Sequence, residues 1–102
     1  MVDINALVRQ AQEMQNKVKI AQEELAKTEV EGEAGGGMVR VSMTATKVAL
    51  RVQIADAAMS DKAVLEDLIV AAFNNAKDIA DEVATSTMEA ATGGMELPSG
   101  LT

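Results

Sequence analysis

Glu33-Ala34-Gly35-Gly36-Gly37-Met38-Val39-Arg40-Val41-Ser42-Met43-Thr44 is the stretch in which the chain changes its period. Before it, apolar residues recur every three or four positions. Within it they alternate, with Val39, Val41 and Met43 on one side and Arg40, Ser42 and Thr44 on the other. Period two is the signature of a strand with one buried face. Three consecutive glycines supply the positive φ values of a tight hairpin, so Thr28–Ala34 is expected to pair with Met38–Thr44. A two-residue loop at Gly35-Gly36 would set Val30 opposite Val41 and Glu31 opposite Arg40. Val48 to Ile54 repeats the alternation, with Val48, Leu50, Val52 and Ile54 against Ala49, Arg51 and Gln53, and predicts a third strand. The turn at Thr44-Ala45-Thr46-Lys47 lacks an Asn-Gly, which leaves the register of that pair open.

Upstream of the hairpin, Ile4, Leu7, Ala11, Met14, Val18, Ala21 and Leu25 follow a three-four spacing over about three heptads. This predicts a helix from Asp3 to Lys27 with a narrow seam and Asp3 as its N-cap. Two alanines in the seam bury little area, so the helix needs a partner. Downstream, Val64, Leu65, Leu68, Ile69, Ala72, Ala76, Ile79, Ala80 and Val83 mark a second helix. Ser60 is its expected N-cap, Asp61 lies in its first turn, and Thr92-Gly93-Gly94 closes it. At about 30 residues it would be about 45 Å long, more than a core of this size can cover. Its distal half must project or meet another chain.

The fold class is therefore α+β: an N-terminal helix, a three-stranded antiparallel sheet and a long C-terminal helix. Residues 1–94 form one domain and residues 95–102 a tail. The chain has 102 residues, and its apolar 48% includes only 1% aromatic residues, so large core anchors are scarce. A homodimer is the expected remedy. Most of the methionines are expected to fill gaps in that aromatic-poor core.

With no Cys and no His, thiol nucleophiles, disulfides, zinc fingers and imidazole-based triads are excluded. The carboxylates Asp61, Glu66, Asp67, Asp78, Asp81 and Glu82 read as a solvated helix face, since di-metal bundles pair Glu with His. The triple glycine is no phosphate loop, because no Gly-Lys-Ser/Thr follows it. No enzymatic activity, metal or cofactor is expected. Neither a secretory signal nor a membrane span is visible, and a cytoplasmic location is the default.

The net charge of -7 opposes simple polyanion binding, so nucleic-acid contact would need a local cationic cluster. The first helix offers one. Arg9 and Lys17 lie within about 80° of each other around its axis, Lys19 occupies the other flank, and Gln12, Gln15 and Asn16 lie beside them. Cations of this kind contact phosphate, and amides reach base edges. On the sheet, Arg40 and Arg51 read instead as cross-strand partners of Glu29, Glu31 and Glu33.

Four segments resemble one family. Arg9-Gln10-Ala11-Gln12-Glu13-Met14-Gln15 is similar to the opening motif of the YbaB/EbfC family of bacterial nucleoid-associated proteins, and Glu31–Val41 to its glycine-rich hairpin. Leu65-Glu66-Asp67-Leu68-Ile69-Val70-Ala71-Ala72-Phe73-Asn74-Asn75-Ala76 resembles its long second helix, and Gly93–Gly100 its tail. The resemblance implies a tweezer-like, intertwined homodimer that binds duplex DNA with low sequence specificity, in nucleoid organisation or gene regulation. By that analogy Arg9, Lys17 and Lys19 are the DNA contacts, Arg9 foremost because it falls inside a matched motif. The alternative is a non-enzymatic dimeric adaptor that docks a protein partner of DNA replication or repair. Two turns depart from the family pattern, Thr44-Ala45 and Asp56-Ala57. Asp78, Asp81, Glu82 and Glu89 outnumber Lys77 in the distal second helix, which leaves either weak DNA contact or contact through the first helices.

Overall fold

The computed structural model describes residues 3–93. Its order is α1 (Ile4–Lys27), β1 (Glu29–Ala34), β2 (Val39–Thr44), β3 (Ala49–Ile54), a 3-10 turn at Asp56–Ser60 and α2 (Lys62–Thr92). The strands form an antiparallel sheet in the order β1-β2-β3. The expectation of a tail at 95–102 lies outside the described residues.

Local chemistry sets the ends of α1. The Asp3 carboxylate accepts the Asn5 amide at 3.0 Å, and the Thr28 hydroxyl donates to the Glu24 carbonyl at 2.8 Å. The cap of α2 corrects the sequence reading: Asp61, not Ser60, is the N-cap, accepting the amides of Ala63 and Val64. Ser60 belongs to the 3-10 turn, where its hydroxyl donates to the Ala57 carbonyl. Gly93, in the left-handed region at φ 65°, ends α2.

The hairpin also differs from the expected register. Gly35, Gly36 and Gly37 all have positive φ, and the Met38 amide donates to the Gly35 carbonyl, so the loop holds four residues instead of two. Val30 consequently faces Met43, Gly32 faces Val41 and Glu33 faces Arg40. A two-residue slip preserves which face each side chain occupies. Arg40 thus still reaches Glu31, now diagonally, at 3.6 Å. A bulge at Ser42/Met43 shifts the β2–β3 pairing, and Lys47 turns that corner with φ 71°.

α2 lies on the sheet over β1 and β2 through small residues. Ala72, Ala76 and Ala80 are fully buried against Val30, Val39, Val41 and Met43. Gly32 permits this approach, since a Cβ there would stand 2.1 Å from the Ala76 amide nitrogen. Asn75 completes the contact by accepting the Glu33 amide at 3.0 Å. A second cluster joins the C-terminal half of α1 to the C-terminal half of α2, with Ala21, Leu25, Ala45 and Met88 at its centre. The methionines divide: Met43 and Met88 fill these clusters as expected, whereas Met59 is 62% exposed.

The radius of gyration is 18.9 Å, against about 13 Å for a compact chain of this length. The N-terminal half of α1 is thinly covered. Val18 and Met14 are half-buried, but Leu7 and Ile4 are exposed, the latter at 73%. β3 is equally uncovered. Val48, Leu50, Val52 and Ile54 alternate as expected of a buried face, yet all four are exposed because α2 stops short of them.

Candidate nucleic-acid interface

Ion pairing sorts the cations into two sets. Arg51 bonds Glu29 at 2.7 Å and Arg40 pairs with Glu31, so the outer sheet face neutralises itself and offers no anion site. Lys47 bonds Asp81 at 2.5 Å, tying the β2–β3 corner to α2, and Lys62 lies 3.9 Å from Glu66. The other five cations, Arg9, Lys17, Lys19, Lys27 and Lys77, form no ion pair within 4.0 Å among the described residues. All but Lys77 are on α1.

α1 holds Arg9, Lys17 and Lys19 on its exposed surface. They share a helix but not one azimuth. Relative to Arg9, Lys17 and Lys19 lie about 80° to opposite sides. Lys17, four residues before the buried Ala21, is about 40° from the seam that meets α2, and Lys19 is well clear of it. The acceptors Glu13 and Glu23 stand four residues beyond Arg9 and Lys19, but neither closes a pair. Unpaired cations on a solvated face are free to exchange counterions for phosphate.

The two helices differ in sign. α1 carries four cations against three carboxylates, whereas α2 carries Lys62 and Lys77 against Glu66, Asp67, Asp78, Asp81, Glu82 and Glu89. Asp81, Glu82 and Glu89 line a shallow depression with Thr85 and Ser86. No group of three or more acidic side chains among the described residues is placed to hold a metal ion. Also among the described residues, no helix is long and apolar enough to cross a membrane.

One surface was missed in the sequence reading. Leu50, Val52 and Ile54 of β3 lie uncovered, and Val70 and Phe73 of α2 are exposed as well. The alternation that announced a buried face gave the signal. What covers that face could not be read from spacing.

The model of the YbaB/EbfC DNA-binding family matches residues 1–95. The nucleoid-associated protein xcc-b100_3358 of Xanthomonas campestris pv. campestris (strain B100) is 48% identical over 99 residues, covering 97% of this chain and 93% of its own length. A nucleoid-associated protein of Xylella fastidiosa (strain 9a5c) is 48% identical over 98 residues, covering 96% and 92%. The crystal structure of HP0035 from Helicobacter pylori superimposes with a TM-score of 0.74 at 23% identity, covering 84% of this chain and 92% of that one, and so shares its fold.

Proposed function

This chain belongs to the YbaB/EbfC DNA-binding family, and from that premise we propose that it binds duplex DNA as a homodimer with low sequence specificity. The role is nucleoid organisation or gene regulation in the cytoplasm. The segregation of unpaired cations onto α1, with Arg9, Lys17 and Lys19 as contacts, is the observation that carries this reading. Phosphate contact supplies affinity without sequence information, and a two-fold pair of α1 helices doubles the number of contacts. The uncovered apolar strip of β3 supports the dimer. It is too apolar to stand in water without cost, and each half-exposed aliphatic side chain gains about 1 kcal/mol when covered.

The acidic face of α2 favours a second reading, an adaptor that docks a replication or repair protein. Fluorescence anisotropy of labelled duplex DNA across a salt series separates the two. A direct binder gives saturable binding whose log affinity falls linearly with log salt, and changing Arg9, Lys17 and Lys19 to Ala weakens it. An adaptor remains dimeric and leaves DNA unbound even at low salt.

A further inference from the structure

We infer that Lys27 is a DNA contact working with Arg9, and that the duplex lies lengthwise along the face of α1 turned away from α2. The inference rests on the DNA-binding reading above and specifies how the same site is used.

Arg9 and Lys27 are 18 residues apart on one uninterrupted helix. That is five whole turns, so the two cations share one azimuth and stand about 27 Å apart along the axis. Both are exposed, and neither has an ion-pair partner within 4.0 Å among the described residues. The seam of Ala21 and Leu25 that meets α2 lies on the opposite side of the helix, roughly 120° to 160° around the axis. Asn16 falls about 20° from the line joining the two cations, within reach of a base edge or phosphate. Glu13 and Glu23 border the line about 40° to either side, so they weaken the contact without occupying it.

The other faces of the arm are unsuitable. The α2 side carries six carboxylates and two lysines and repels phosphate. Arg40 and Arg51 are already paired. A polyanion therefore settles on the outer side of α1 and not between the helices. With each base pair advancing about 3.4 Å, the span from Arg9 to Lys27 corresponds to about eight base pairs.

The test measures binding of the full chain to labelled duplexes of about 6 and about 12 base pairs across a salt series. The unmodified chain should bind the longer duplex more tightly and with a steeper salt dependence. Lys27→Ala should make the salt slope shallower by about 0.9 for each protomer engaged and abolish the advantage of the longer duplex. Lys27→Arg should restore both. Lys62→Ala, which removes the same charge from a paired site away from α1, should leave both unchanged. Circular dichroism checks that each variant is folded. If Lys27→Ala binds as the unmodified chain does while Arg9→Ala is weakened, the lengthwise arrangement is overturned and the DNA reading stands. If the folded, unmodified chain binds neither duplex at low salt, both fall.

Discussion

Gly32 of β1 and Ala76 of α2 meet backbone to backbone, so closely that a Cβ on Gly32 would stand 2.1 Å from the Ala76 amide nitrogen and 2.5 Å from the Ala72 carbonyl oxygen. Nothing at that point is the flexible end of a side chain, so the contact cannot give way locally. Gly32→Ala must therefore lift α2 from the sheet. Overpacking at a helix–strand crossing costs about 3 kcal/mol or more, and the midpoint of thermal unfolding should fall by on the order of 10 °C or more. An unchanged melting curve would show that the helix does not lie this close.

Asn75 governs the same crossing from the edge of β1, where its side-chain oxygen accepts the Glu33 amide. Asn75→Ala leaves that amide to water and should lower stability by about 1 kcal/mol in denaturant titrations. Asn74→Ala, at an exposed neighbouring position without such a bond, should fall within about 0.5 kcal/mol of the unmodified chain.

Lys47 combines two opposed effects. Its φ of 71° is costly for any residue with a Cβ, while its ammonium bonds the Asp81 carboxylate. Both partners are nearly half exposed, so the pair contributes no more than about 1 kcal/mol before screening by salt. Comparing Lys47→Ala with Lys47→Gly isolates the backbone, because each loses the pair and only Ala keeps the strain. The Gly variant should be the more stable by about 1 kcal/mol, whatever the ionic strength.

Val52 is 48% exposed on the uncovered strip of β3, so a polar replacement costs an isolated chain little. Under the homodimer reading, Val52→Asp places two carboxylates in the shared interface. Sedimentation equilibrium should then give a monomer with helical content retained, and DNA affinity should drop with the loss of the second α1. A variant that remains dimeric would move the interface away from β3.

Much of this arrangement was legible in the sequence, and what was not has definite causes. The heptad spacing of α1 and the alternation in β2 and β3 located these elements, because apolar periodicity reports the face that avoids water. The register of β1 on β2 was misread by two residues. Gly35, Gly36 and Gly37 accept either loop length, and a two-residue slip leaves every side chain on its own face. The cap of α2 was misplaced because Ser60 and Asp61 are both good caps, and only the 3-10 turn, which takes up Ser60, decides. Arg9, Lys17 and Lys19 were recognisable as cations on one helix. That Arg40 and Arg51 are consumed by Glu31 and Glu29 could be anticipated from strand pairing, whereas the freedom of Lys27 required the full set of distances.

The seam between α1 and α2 has a consequence for how the arm holds itself. It anchors α1 at Leu25 and Ala21 and thins through Val18 and Met14, and beyond them Leu7 is half exposed and Ile4 mostly so. An unsupported helical segment of about ten residues is marginal in water, so α1 should fray from its first turn inward. Hydrogen exchange would register this as a gradient, with amides near Leu7 exchanging orders of magnitude faster than those near Leu25. Arg9 rides on the fluctuating end and Lys27 on the fixed one. The arm thus couples a stiff root to a compliant tip that can follow the local shape of its target.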